Sequence, residues 1–524
     1  MRKIYITLVV LLVAMIGMAY LYFSNLQTEN SANNISLNTA AADASIVFSF
    51  ENDKSFYDIL SGQDLLQNIL GEKKSSQLKN LKDAFLTKEI NSAMLNQKVY
   101  IAILPDVKDS IDFLVTTQLK ENTDQLNLLK EIQQKAKASK IDEIYKLTFP
   151  DTSFVYLGIK DKLLTISNSD IAIRKSLQDQ FQDNSAFANY ISKNSIYTKN
   201  TLANLYFNFN RAPGLLKNLL TVNLVGELGV FNNQNTFASL TYNYSTEKLL
   251  FNGYTQINDE KNYYHLFTSN VEQKITINSI LPDKTANYIY YSFSNYAIFR
   301  KSLVNWFSKN GESEKISSLF KEIDETYRIN LEEDFSKFIN SQFITFQLNS
   351  GEKFGAIDLN NGDKVNQLLL DLSAEYAPNI RIFKDSNIPY SLFGEPLKKF
   401  ERPFFTIIDN YLVMANNASS IQVFLNSYNN SKLLVNSTDY IRFRDQISSS
   451  ATICFYVNNK NSNDIFGRNL KAPYFKHYQS SNGLKEFDAF CYQLSGDKDK
   501  FLTNILVYKK LAETTNLDTL KSNP

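Results

Sequence analysis

Phe237–Tyr254 reads FASLTYNYSTEKLLFNGY, and Phe487–Asn504 reads FDAFCYQLSGDKDKFLTN. Each is a pair of alternating strands around a charged turn, with Phe237 falling on Phe487 and Phe251 on Phe501, 250 residues later. The offset persists upstream. Tyr190-Ile191 falls on Tyr440-Ile441, and Leu205-Tyr206-Phe207-Asn208 on Phe455-Tyr456-Val457-Asn458. Further back it becomes 248, where Tyr156–Leu177 (YLGIKDKLLTISNSDIAIRKSL) aligns with Phe404–Leu425 (FFTIIDNYLVMANNASSIQVFL). Nearer the start, Ser49-Phe50 falls on Ser292-Phe293 and Asn96 on Asn340. The matches keep one order and the offset drifts in small steps, as short loop insertions in a duplicated unit produce.

The reading that follows is two diverged copies of one α+β unit, over residues 45–270 and 283–510, with a C-terminal tail at 511–524. Within each copy a strand leads into helical stretches (Phe56–Leu70 and Ser75–Leu86; Phe299–Lys309 and Ser313–Tyr327). Two strands and an amphipathic helix follow (Thr123–Lys137; Asp363–Tyr376), then a hairpin running into a helix, a further strand and helix, and the closing hairpin. The alternation of apolar and polar residues predicts mostly antiparallel sheets with one face covered.

Composition agrees with a β-rich globular chain. Of 524 residues, 30 are Tyr and 38 Phe, while Gly (16) and Pro (10) are scarce. A net charge of +1 gives no basic footprint, so nucleic acid is not an expected partner.

Ile4–Phe23 is uncharged and apolar and follows Arg2-Lys3. Its length suits a helix crossing a hydrocarbon core, with the basic end held in the cytoplasm. Residues 1–23 are thus expected to be a signal anchor. The competing reading is a cleaved signal peptide with an apolar region at Ile4–Ile16 and a cleavage site at Gly17-Met18-Ala19. No Cys lies near the run, which excludes a lipoprotein. Residues 24–44, rich in Asn, Ser and Ala, read as a flexible polar tether. The expected location is the inner membrane, single-pass, with the bulk of the chain in the periplasm.

Candidate chemistry is sparse. The two cysteines, Cys454 and Cys491, lie in strand-like runs and read either as buried apolar side chains or as one disulfide between neighbouring strands. The two histidines, His265 and His477, lack clustered partners, which disfavours a His-dependent hydrolase or a multi-His metal site. Ser318 and Lys321 fit the SxxK spacing of serine acyltransferases, but no Lys-Thr-Gly accompanies them. Glu332-Glu333-Asp334, with Glu322, Asp324 and Glu325 nearby, suggest either a calcium or carbohydrate site or a solvated helix start. Gly351–Gly355 lacks the frame of a phosphate loop and reads as a hairpin turn. The pairs Asp161/Asn168 and Asp409/Asn416 are the polar positions kept in both copies of the clearest segment. They fit either a duplicated binding site or hairpin turns (Asp) and helix-capping positions (Asn). No catalytic residue, cofactor or metal is assigned.

The plan of anchor, tether and two aromatic-rich repeats, with hairpins of the form Asp-x-φ-Leu-x-φ-[Ser/Ala]-Asn at Asp161–Asn168 and Asp409–Asn416, resembles a family of membrane-anchored envelope proteins of Bacteroidota. That family's domain carries no assigned function. The resemblance implies an envelope location and supplies no catalytic residues. The expected role is a non-catalytic, membrane-tethered scaffold or interaction module whose partners are the membrane, through residues 4–23, and another envelope protein or lipid. The alternative is a carrier that holds an apolar ligand such as lipid in a cleft between the two repeats.

Overall fold

The structure, a computed structural model, describes residues 34–52, 72–85, 87–94, 97–105, 111–121, 123–178, 185–195, 203–221, 236–244, 248–480 and 483–509. The expected anchor at Ile4–Phe23, the tether as far as residue 33, the Phe56–Leu70 stretch, Asn96 and the tail from 511 lie outside the described residues. Among the described residues no helix is long and apolar enough to cross a membrane. The chain is α+β, with a large, mostly antiparallel sheet. It divides into two compact units. One holds the described parts of Met1–Asn52, Asp83–Leu104 and Asp112–Tyr197; the other holds those of Asp53–Lys82, Pro105–Ile111 and Thr198–Pro524.

The first unit begins earlier than the sequence suggests. Residues 35–44 were expected in the tether, but Ile35–Ala41 form a helix, α1, and Ser36 to Ala41 are buried. Asn34 caps it, accepting from the Leu37 amide, while its Nδ2 donates to the Tyr100 hydroxyl at 3.1 Å. The Thr116 hydroxyl donates to the Ser36 carbonyl at 2.7 Å. Small side chains and the bonds made by Asn34 and Ser36 let this segment pack where its composition reads as solvated, although the buried Thr39 hydroxyl meets no partner among the described residues.

After α1 come β1 (Ile46–Glu51), α2 (Lys88–Met94), β2 (Lys98–Pro105), β3 (Ile111–Gln118), α3 (Gln125–Gln133), β4 (Lys137–Ile141), β5 (Ile144–Thr148), β6 (Phe154–Lys160), β7 (Leu163–Ser167), α4 (Asp170–Ser176) and α5 (Ala186–Asn194). A further helix at Glu72–Phe85 covers most of the expected Ser75–Leu86 stretch. The strands of this unit pair in the order β1-β2-β3-β7-β6-β5-β4.

The second unit comprises β8 (Asn204–Asn208), α6 (Ala212–Leu219), β9 (Thr236–Tyr244), β10 (Lys248–Ile257), β11 (Gln273–Lys274), β12 (Thr285–Ser292), α7 (Tyr296–Lys309), α8 (Ser313–Tyr327), α9 (Leu331–Ser336), β13 (Ile339–Leu348), β14 (Lys353–Leu359), α10 (Gly362–Leu368), β15 (Ser373–Ala377), β16 (Ile380–Phe383), α11 (Ile388–Phe393), β17 (Phe404–Ile408), β18 (Tyr411–Ala415), α12 (Ala418–Asn429), α13 (Thr438–Arg444), β19 (Ser450–Ala451), β20 (Ile453–Asn458), α14 (Asn459–Asn469), α15 (Ala472–Tyr478), β21 (Ala489–Asp497) and β22 (Lys500–Tyr508). Its main sheet runs β8-β9-β10-β22-β21-β20-β12-β13-β14-β18-β17-β16-β15, antiparallel throughout. The stretch from β12 to β15 repeats the strand order of the first unit. Residues 198–270 fall in this unit because β10 pairs with β22 along its length.

Two expectations change here. The sheet of this unit is covered on both faces around β12, whose eight residues are all buried. Ile289 and Tyr291 face one core with Phe299, Leu303 and Phe307 of α7, and Phe343. Tyr288 and Tyr290 face another with Phe424 of α12, Tyr440 of α13, and Tyr456. A run of aromatic and β-branched residues on both faces satisfies two helical layers, which simple alternation does not reveal. The amphipathic stretches Thr123–Lys137 and Asp363–Tyr376 also end early as helices. Ser373–Ala377 is β15, and α10 stops at Leu368.

Candidate functional site

The polar residues shared by the two aligned segments hold turns and strands in place. Asp161 and Asp409 both adopt positive φ, 52° and 49°, in the two-residue turns of β6–β7 and β17–β18. Asp tolerates this left-handed conformation better than most residues. The Asp161 carbonyl accepts from Gln125 Nε2 at 2.8 Å, and the Asp409 carboxylate accepts from the Tyr428 hydroxyl at 2.6 Å. The asparagines are not the helix caps. Ser169 and Asn417 occupy those positions, and Ser169 accepts from the Ala172 amide. Asn168 instead bridges strands, accepting from the Phe113 amide at 2.9 Å and donating to Asp112 Oδ1 at 2.8 Å. Asn416 donates to the Lys399 carbonyl at 3.0 Å.

The remaining candidates are not brought together. Ser318 and Lys321 are exposed on α8, where Lys321 lies 3.7 Å from Glu325. Asn330 caps α9, whose first turn holds Glu332, Glu333 and Asp334. Glu332 pairs at 2.8 Å with Arg300, which is buried and also donates to the Ser391 carbonyl, and Asp334 pairs with Lys337 at 3.1 Å. These acids therefore favour a helix N-terminus, and Glu332 through Arg300 also ties α9 to α7 and α11. His265 lies in a 3-10 turn at Tyr263–Phe267 and His477 near the end of α15, each accepting a side-chain hydroxyl at its carbonyl. Among the described residues no cluster of three or more His, Cys, Asp or Glu has the geometry to hold a metal. Gly351 sits in the β13–β14 turn at φ 107°, as a hairpin requires.

Cys454 on β20 and Cys491 on β21 are both buried on neighbouring strands, with sulfurs 3.7 Å apart and no bond between them. Burial pushes the Cys491 thiol well above its usual range, so it behaves as an inert apolar side chain.

Two features escaped the sequence. Asp358 on β14 is buried, with Asn340 Nδ2 donating to it at 3.0 Å, and burial raises its carboxyl to about 6. A groove of about 440 Å³ lies between the β13–β14 turn and α14 and α15, lined by Asn349, Ser350, Asn463, Asp464, Arg468 and Phe475. Its residues come from three separate stretches of chain, so no local motif announces it.

No protein-family model matches the chain, and no curated protein matches it. Among solved structures, crystal form I of TP0453 is similar at 12% identity, covering 43% of this chain and 79% of that one, with a TM-score of 0.25. A likeness of that extent carries no argument about fold or function.

Proposed function

We propose that this chain is a non-catalytic, membrane-tethered envelope protein that works as a scaffold or interaction module, built from two copies of one α+β unit. The observation that carries the reading is the fate of the polar residues shared by the two halves. Asp161 and Asp409 make turns, and Asn168 and Asn416 tie strands to neighbouring segments. What the two halves share is thus a framework and not a reaction centre. The duplication itself is supported by the repeated strand order and by the identical spacing of the Lys160↔Leu163 and Ile408↔Tyr411 pairs, 248 residues apart. Membrane attachment rests on the uncharged Ile4–Phe23 run behind Arg2-Lys3. The carrier alternative needs aromatics free to line a cleft. In the second unit the large rings pack on each other instead, as Tyr291 on Phe343 at 4.7 Å and Phe346 on Phe354 at 4.8 Å.

Crosslinking of the full-length protein in intact envelopes tests the reading. A reproducible set of envelope partners supports it. A hydrolytic activity abolished by one substitution, or a native mass spectrum with extra mass that extracts as lipid, defeats it.

A further inference from the structure

We infer that the groove between the β13–β14 turn and α14 is a binding site for a neutral saccharide, which makes a glycan the envelope component recognised in the function proposed above. The groove is shallow and open to solvent, and its volume of about 440 Å³ leaves room for a sugar ring lying along it.

Ser350 on its rim donates to the Glu352 carboxylate, while the charged groups of α14 keep bonding capacity to spare. Arg468 is exposed; its Nε donates to the Asp464 carbonyl at 3.2 Å, and among the described residues no acceptor meets its two terminal nitrogens. Those nitrogens lie against Gly351, where a Cβ would stand 3.3 Å from one and 3.4 Å from the other. The guanidinium is therefore spread along the turn and makes no ion pair with the Asp464 carboxylate one helical turn away. Among the described residues the Asp464 carboxylate accepts from Asn463 Nδ2 alone, at 3.3 Å. Phe475 closes the end, its ring against Gly467, where a Cβ would stand 3.1 Å from Cζ.

The charge pattern selects the ligand class. An anion drawn to Arg468 meets Asp464 on the same helix, and a cation drawn to Asp464 meets Arg468. A neutral polyol offers a donor and an acceptor at each hydroxyl, which matches a carboxylate, a guanidinium and the amides of Asn349 and Asn463 together. The apolar face of a sugar ring suits Phe475. Nor does the fold demand this set. In α6, which follows β8 as α14 follows β20, the positions 250 residues earlier hold Pro213, Gly214, Lys217 and Asn218.

The test is saturation-transfer NMR on the full-length protein in detergent with soluble gluco-, manno-, galacto- and N-acetylglucosamine oligosaccharides. At least one is expected to receive saturation, with affinity reduced about tenfold or more by Arg468→Met and by Phe475→Ala. Arg468 is exposed, so the first variant keeps its fold, which circular dichroism checks. Transfer to none of the sugars overturns the inference, as does binding that both variants leave intact, or binding of inorganic phosphate with no neutral sugar bound. Any of these leaves the scaffold reading standing, because crosslinked partners are scored independently of sugar.

Discussion

Asn252 on β10 stands directly opposite Asn504 on β22, and its side-chain amide donates to the Asn504 side-chain carbonyl. The register around the pair is symmetric: residues on either side of Asn252 meet residues equally far on the other side of Asn504. The two also hold matching places in the strand pairing. Asn208 meets Phe237 as Asn458 meets Ala489, which places β9 and β10 252 residues before β21 and β22. A local two-fold axis of strand pairing thus passes between Asn252 and Asn504. The sequence alignment at 250 misses this by two residues. The two hairpins match at 252, Tyr244↔Leu249 against Gly496↔Phe501, so the two extra residues lie between Asn458 and Ala489.

If this contact joins the halves, Asn252→Ala and Asn504→Ala each cost about 1 kcal/mol, and the double variant costs less than their sum. Urea unfolding followed by fluorescence of Trp306, the single tryptophan, which lies in the second unit's core, reads this directly. Full additivity would mean that the two amides do not interact. Gly253 next to the axis is a harsher test. A Cβ there would stand 2.0 Å from the Ser239 carbonyl oxygen, so Gly253→Ala must displace β9 and should lower stability well beyond either asparagine change.

Gln342 ties the short segment before β12 to the sheet. It is buried; its Oε1 accepts from the Thr276 amide, the Thr276 hydroxyl and the Ile277 amide, each at 3.1 Å, and its Nε2 donates to the Lys274 carbonyl at 2.8 Å. Gln342→Leu fills similar space but strands two backbone amides. The expected loss is about 2–4 kcal/mol, seen as a lower urea midpoint. A neutral outcome would mean that water reaches these amides.

Asp358 makes stability depend on pH in a direction opposite to that of most carboxylates. Its ordinary value is 3.8 and burial raises it to about 6, so between these values the folded state keeps a proton that the unfolded state releases. The contribution is fully present below about 4, is lost as pH rises through about 6, and is flat above, with an upper bound of about 3 kcal/mol. Asp358→Asn should remove the slope between pH 4 and 6 and raise stability at pH 7 to 8. Unchanged slope in the variant would assign the dependence to another group.

Much of the fold is legible in the chain because hairpins announce themselves locally. Asp161 and Asp409 sit in turns between alternating strands, and those residues alone mark both turns. Burial on both faces of β12 was not legible, since TANYIYYS carries aromatic residues on either side and its helical covers come from distant sequence. Ser373–Ala377 reads as the end of a helix because its residues continue the preceding apolar spacing, yet pairing with β16 decides it. The groove was invisible for a related reason. Asn463, Asp464 and Arg468 look like one solvated helix face until the β13–β14 turn is laid beside them.

The segment most misjudged from composition gives the last prediction. Residues 34–44 look like a tether, but Leu37, Ala40, Ala41 and Ala44 are buried, and Asn34 and Ser36 bond to Tyr100 and Thr116. A chain starting at residue 45 would expose the surfaces these side chains cover and leave the Thr116 hydroxyl without its acceptor. Apolar burial of this size is worth on the order of 3–5 kcal/mol, a large share of a small unit's stability. Hydrogen exchange on a chain starting at 34 and one starting at 45 separates the outcomes. Faster exchange confined to β3, β7 and α5 in the shorter chain is expected, because α1 packs on this part of the first unit. Equal protection would return the segment to the role of a tether, and the functional boundary of the folded part would then lie at β1.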